Sequence, residues 1–202
     1  MTSKLIIATH NDGKRKELVQ LLDGLALEVR SSGELSLDDV DETGLTFVEN
    51  ALLKARSACA QTHCAALGDD SGLEVDALHG APGIYSSRYA GPEATDQQNI
   101  IKLLDSLDGV PHAERTARFR CTLVVLRHAD DPAPLICEGK WEGHIAIEPK
   151  GENGFGYDPV FLPSDAIGSA AQLSAEQKSR LSHRALALQQ LTSRLHDFLR
   201  QH

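Results

Sequence analysis

Ala65-Ala66-Leu67-Gly68-Asp69-Asp70-Ser71-Gly72-Leu73-Glu74-Val75-Asp76 sets four carboxylates within nine residues, directly after a short apolar run. A Gly/Pro/Ser-rich stretch, Gly80-Ala81-Pro82-Gly83-Ile84-Tyr85-Ser86-Ser87-Arg88-Tyr89-Ala90-Gly91, follows it. Ala65–Leu67 reads as a short strand that delivers Asp69 and Asp70 into a glycine-bordered turn. Two readings fit that turn. One is an acidic surface turn with Gly72 setting the backbone. The other is a carboxylate pair held for a hard divalent cation, which needs rigid oxygen donors and open positions for water and phosphate.

Working outward, Thr46-Phe47-Val48-Glu49 has the S/T-x-x-E pattern of a helix start. Phe47, Ala51, Leu52, Ala55 and Ala58 give that helix a buried stripe, with Lys54 off its centre. Before it, Ser31–Leu45 is polar and acidic, carrying Asp38, Asp39, Asp41 and Glu42, and reads as a loop. Lys4–Thr9 reads as the opening strand and Lys14–Leu22 as an amphipathic helix, with a weak strand at Leu27–Arg30. On the other side, Thr95–Leu107 has helical periodicity. Ala117–Arg127 and Leu135–Ile147, separated by Asp130-Asp131-Pro132, read as an antiparallel pair. Pro159–Leu162 is a further short strand, Ser174-Ala175-Glu176-Gln177 a second capping box, and Leu188, Leu191, Leu195 and Phe198 mark a C-terminal amphipathic helix. Helices alternating with strands and ending in a hairpin-like pair predict an α/β fold with a mixed sheet.

With 202 residues the chain is long enough for one sizeable domain or for two lobes sharing a cleft. No apolar run approaches the ~20 residues of a membrane span, and the N-terminus lacks the features of a signal peptide, so a cytoplasmic address is expected. A net charge of −9 argues against a nucleic-acid scaffold, while leaving room for a local basic pocket. Cys59, Cys64, Cys121 and Cys137 match no paired zinc spacing and read as free thiols.

Three further clusters carry candidate chemistry. Thr9-His10-Asn11-Asp12-Gly13-Lys14 lies between a strand and a helix, where backbone N–H groups, a hydroxyl, an amide and a lysine can cradle a phosphate; the same residues also serve simply to cap a helix. Gly151-Glu152-Asn153-Gly154-Phe155-Gly156-Tyr157-Asp158-Pro159 offers aromatic faces for a flat base, or a hairpin loop folding its aromatics onto the core. Glu176–Arg184 concentrates Lys178, Arg180, His183 and Arg184 in an acidic protein, which suits a bound phosphate or a solvated helix.

Taken together and in order, these motifs resemble the inosine triphosphate pyrophosphatase (Ham1-like) family over nearly the whole chain. The resemblance is carried by Thr9–Lys14, Phe47-Val48-Glu49-Asn50-Ala51-Leu52-Leu53-Lys54-Ala55, Asp69–Leu73, Gly80–Tyr89, Gly154–Pro159 and Lys178–Arg184. It implies one domain over residues 1–202, with a long mixed central sheet flanked by helices and two lobes around a nucleotide cleft. It implies Mg²⁺-dependent hydrolysis of deaminated purine nucleoside triphosphates to the monophosphate and pyrophosphate, by a homodimer. Asp70 becomes the catalytic base and, with an acid of the Asp41-Glu42 pair, here Glu42, a metal ligand; Asp69 supports it. Thr9, His10, Asn11, Asp12, Gly13, Lys14, Lys54, Ser71 and Lys178 are assigned to the triphosphate. Phe155 is assigned to stack on the base, with Gly156, Tyr157, Asp158, His183 and Arg184 around it. Two rivals are a Maf-type pyrophosphatase for other modified nucleotides and a nucleotide sensor without turnover. The Gly154–Pro159 and Ser182–Arg184 motifs oppose the first, and the retained Asp70, Lys14 and Lys54 oppose the second.

Overall fold

The computed structural model describes residues 3–9, 11–22 and 27–200. Among these, six strands form one sheet: β1 (Ser3–Ala8), β2 (Leu27–Ser31), β3 (Ala65–Val75), β4 (Thr116–Leu126), β5 (Leu135–Ile145) and β6 (Phe161–Pro163), in the order β2-β1-β3-β4-β5-β6. β1 runs parallel to β2 and β3, and β5 antiparallel to β6, so the sheet is mixed, as expected. The helices are α1 (Asp12–Leu22), α2 (Phe47–Thr62), α3 (Asp96–Ser106), α4 (Ala175–Leu181) and α5 (His183–Arg200). The chain divides into two compact units. The first comprises Met1–Asp70, Cys121–Gly139 and Arg184–His202, the second Ser71–Arg120 and Lys140–His183.

In the first unit, successive residues of β1 point to opposite sides. Leu5 and Ile7 join Leu67, Leu123 and Val125 beneath Leu18 and Leu22 of α1 and Leu188, Leu191 and Leu195 of α5. Ile6 and Ala8 join Ala66, Val124 and Leu126 beneath Ala51, Ala55, Ala58 and Cys59 of α2. Both faces are therefore covered, which is why β4 is continuously buried from Cys121 to Leu126. In the second unit one face packs Leu73, Val75, Ala117, Phe119, Trp141 and Ile145 against Ile100 and Leu103 of α3 and Leu107 just after it. The alternate residues carry an ion-pair ladder: Arg118 meets Asp76 at 2.7 Å and Glu142 at 3.0 Å, and Arg120 meets Glu74 at 2.8 Å. Here β4 alternates, as a strand with one dry face must.

Local signals place the helix starts. Thr46 Oγ1 accepts from the Glu49 N–H, and Glu49 Oε2 accepts in turn from the Leu45 N–H at 2.8 Å. Thr95 and Ser174 form reciprocal capping boxes with Gln98 and Gln177. The expected turn between Ala117–Arg127 and Leu135–Ile147 is built on Asp131. Its buried carboxylate accepts from Arg127 N–H, Nε and Nη2 and from the Ala133 N–H.

Three expectations change. Asp69 and Asp70 do not lie in a turn; β3 continues through them to Val75. The glycine ahead of them serves close packing, since a Cβ on Gly68 would fall 2.0 Å from the Ala51 carbonyl oxygen of α2. The α2 stripe is Asn50, Ala51, Ala55, Ala58 and Cys59, with Phe47 and Leu52 only half-buried, because a helix this near the sheet admits small side chains. Pro159 belongs to a short 3-10 turn, Asp158–Val160, and β6 starts after it. The four cysteines are free, as expected, and burial pushes the Cys59 thiol up to about 11.

Gly68→Ala is expected to lower stability by about 2–4 kcal/mol, read as a lower urea midpoint, because backbone must move to admit the methyl. An unchanged midpoint would show that α2 does not sit this close to β3. Asp131 yields a pH prediction. Its hydrogen bonds from Arg127 hold the carboxyl well below the usual carboxylate range. A depressed folded pKa contributes stability above the unfolded value near ~3.9, lost as pH falls towards the folded one. The wild-type advantage over Asp131→Asn in thermal unfolding should be full at pH 7 and shrink progressively below about pH 4.

Candidate active site

Strand alternation separates two carboxylates adjacent in sequence. In β3, Leu67 and Asp69 face the layer of α1 and α5, whereas Ala66, Gly68 and Asp70 face α2. Asp69 is 1% exposed. Lys14 Nζ lies 2.6 Å from its Oδ1, Arg184 Nε 3.4 Å from its Oδ2, and the Cys121 thiol donates to Oδ2 at 3.3 Å. Burial pushes this carboxyl up, but Lys14 and Arg184 outweigh it and hold it well below the usual range. Arg184 is itself buried and is also paired with Glu17 of α1.

Asp70 meets a different set. Asn50 Nδ2 donates to its Oδ2 at 3.3 Å, and Lys54 Nζ lies 3.4 Å from its Oδ1. The same ammonium is 2.5 Å from Glu42 Oε1 and donates to the Asp69 carbonyl at 3.1 Å. Burial raises the Asp70 pKa; Lys54 and Lys14 pull it down, Glu42 and Asp69 push it up, and the net direction is upward. Burial also opposes the Lys54 charge, yet Asp70 and Glu42 raise its pKa above the usual lysine value. Two carboxylates thus converge on one positive group. That donor set fits Mg²⁺, which takes one or two carboxylates and leaves the remaining positions to water and phosphate. Among the described residues, no group of three or more His, Cys, Asp or Glu forms a closed metal cage.

The turn into α1 is ordered by its own side chains. Thr9 Oγ1 accepts from the Asn11 N–H at 3.2 Å, and Asn11 Oδ1 accepts from the Lys14 N–H at 2.9 Å, capping the helix. The capping role is therefore realised, and Lys14 in the first turn of α1 reaches Asp69. His10 and the Asp12 side chain lie outside the described residues. Gly13 is half-buried in the first turn of α1.

The second unit brings together Phe155, Gly156, Asp158 and Lys178. Lys178 Nζ is 2.6 Å from Asp158 Oδ2 and stands 4.9 Å from the centre of the Phe155 ring. Asp158 Oδ2 also accepts from the Phe155 N–H at 2.9 Å. Tyr157 turns into the core and donates its hydroxyl to the Ser86 carbonyl at 2.8 Å, so any contact it makes with a ligand falls to its backbone. His183 is buried against Phe119, with ring centres 4.8 Å apart. Ser71 is half-buried, immediately after Asp70 on β3. Two of the assigned residues have carboxylate partners within the protein. Lys178, assigned to the triphosphate, is paired with Asp158; Arg184, assigned to the base, is paired with Asp69 and Glu17.

Asn50 was given no role by the sequence, yet it is fully buried and ties two parts of this site together. Its Oδ1 accepts from the Gly44 N–H at 2.8 Å, in the loop that carries Glu42, while its Nδ2 holds Asp70. The available signal was an amide inside a helix one position before the alanine stripe, since a buried amide requires partners.

The chain is similar to known proteins along nearly its whole length. A family model described as the Ham1 family matches residues 5–194. The dITP/XTP pyrophosphatase of Photobacterium profundum is 55% identical over 196 residues, covering 96% of this chain and 99% of that protein. The dITP/XTP pyrophosphatase of Vibrio parahaemolyticus is 53% identical over 192 residues, covering 95% and 96%. The solved structure of a HAM1 protein from Coxiella burnetii superposes with a TM-score of 0.90 at 46% identity, covering 97% of this chain and 100% of that one. Fold, family model and relatives of more than half identity along nearly the full length converge, and the chain belongs to the Ham1 family.

Proposed function

We propose that this chain is a nucleoside-triphosphate pyrophosphatase that hydrolyses deaminated purine nucleotides (ITP, dITP, XTP and dXTP) to the monophosphate and pyrophosphate, clearing them from the nucleotide pool. The observation that carries the reading is Asp70, a buried carboxylate with a raised pKa set between Lys54 and Asn50. A buried carboxylate held by Asn50 and Lys54 is positioned to orient a water molecule and accept its proton. The family membership and the dITP/XTP pyrophosphatase activity named for the relatives support the substrate class.

Asp70 orients the attacking water and takes its proton as the water oxygen bonds to the α-phosphorus. The bond from that phosphorus to the bridging oxygen breaks, and pyrophosphate leaves with the oxygen. Asp70 and Glu42 would hold Mg²⁺, which when bound supplies neutralisation of phosphate charge and lowers the pKa of bound water. Lys14 and Lys54 add fixed positive charge, and Thr9, Asn11, Gly13 and Ser71 offer hydroxyl and backbone donors to phosphate oxygens. Asp69 with Arg184 fixes the position of Lys14. In the second unit Phe155 stacks on the base, while Lys178, Asp158, His183 and the backbone at Gly156 and Tyr157 meet its edge. A 6-oxo group accepts hydrogen bonds where adenine's 6-amino group donates, so a site built of donors leaves them unpaired against adenine and rejects it. We assign the enzyme to the cytoplasm and to a homodimeric state on the family resemblance; among the described residues no helix is long and apolar enough to cross a membrane.

Incubation with Mg²⁺ and each of ITP, XTP, ATP, GTP and UTP should give pyrophosphate as first product, with ITP and XTP favoured over ATP by at least about a hundredfold in kcat/KM. Orthophosphate as first product, or equal turnover of ITP and ATP, overturns the reading, and binding without turnover makes the chain a sensor. Asp70→Asn should lower kcat by about 10²–10⁴-fold while leaving circular dichroism and the unfolding midpoint close to wild type. Substantial turnover by that variant would move the base elsewhere.

A further inference from the structure

The loop proposed to read the base is held by a residue sixty positions away. Phe155 sits between two glycines in the left-handed region, Gly154 at φ 79° and Gly156 at φ 61°. Such residues leave a loop with several conformations of similar energy, so its geometry has to be imposed from outside. One restraint is internal: Asp158 Oδ2 accepts from the Phe155 N–H at 2.9 Å and from Lys178 at 2.6 Å. A second, from outside the loop, is Asp96, whose Oδ2 accepts from the Gly156 N–H at 2.7 Å.

Asp96 is well placed to impose geometry because its own position is fixed. It is the first residue of α3, directly after Thr95, whose capping box with Gln98 closes the helix start. One turn on, the buried Asn99 accepts from the Ala90 N–H at 2.7 Å and donates to the Ser87 carbonyl at 3.1 Å. The same 80s segment accepts the Tyr157 hydroxyl at Ser86. The start of α3 thus grips the base loop directly through Asp96, and indirectly through the segment that Tyr157 holds.

We infer that Asp96 is a positioning residue for base discrimination: by fixing the Gly156 peptide it sets the Phe155 ring and the neighbouring backbone donors against the purine edge. The inference rests on the proposed substrate class. Asp96 touches neither the base nor the phosphates. Its loss releases the Gly156 peptide, and hydrogen-bond geometry at the base edge deteriorates before the chemistry at Asp70 does.

The test compares wild type, Asp96→Asn and Asp96→Ala with ITP and ATP, measuring kcat and KM separately alongside the unfolding midpoint. Asparagine keeps an acceptor for the Gly156 N–H, so Asp96→Asn should stay within about twofold of wild type. Asp96→Ala should raise KM for ITP and reduce the ITP:ATP ratio of kcat/KM by about five- to tenfold, with kcat for ITP retained. A merely structural role would lower the unfolding midpoint and reduce turnover of both nucleotides alike, leaving the ratio unchanged, and that outcome overturns the inference. An Asp96→Ala protein that discriminates like wild type also overturns it. Failure of the substrate proposal is separable, because wild type itself would then show no preference for ITP.

Discussion

Asp69 is the constraint on which the first unit depends. A carboxylate at 1% exposure is tolerable as an anion only when positive partners surround it, and Lys14 from α1 and Arg184 from α5 do so. Removing one partner of such a buried pair costs on the order of 3–5 kcal/mol, so β3 has one register against these two helices. With Asp69 committed to one face, the period of the strand sends Asp70 to the other, beneath α2. There Gly68 and the alanine stripe bring the helix backbone close enough for Asn50 and Lys54 to reach it. The two acids have different partners because they are neighbours on a strand.

Charge is arranged in the same spirit. The protein carries a net charge of −9, yet its described site groups cations against carboxylates at close range. Lys54 bridges Glu42 and Asp70 where a divalent cation would be drawn, and Lys178 sits on Asp158 beside the Phe155 ring. These pairings satisfy groups that would otherwise be costly to bury, and they keep in place the positive charge that a polyphosphate requires.

Much of the fold was legible because its signals are local. Capping residues Thr46 and Ser174 identified two helix starts, apolar periodicity identified α3, and the long strands β4 and β5 fell within a residue or two of the expected limits. The site was legible as a set of motifs through the family resemblance. The pairings within it were less so: Lys178 with Asp158, Arg184 with Asp69, Asn50 with Asp70 and Asp96 with Gly156. Each of those contacts joins residues far apart in the chain, such as Gly156 with Asp96, and no local pattern encodes them.

Periodicity, capping chemistry and motif order act over short spans, so the helices, the mixed α/β class and the family were readable from the residues alone. That Asp69-Asp70 is strand and not turn follows from long-range packing. A four-residue pattern of Gly, Asp, Asp and Ser favours a turn on local grounds. Pairing of β3 within the sheet, the close approach of α2 over Gly68, and the burial of Asp69 between two cations together outweigh that preference, and none of the three is written in the residues nearby.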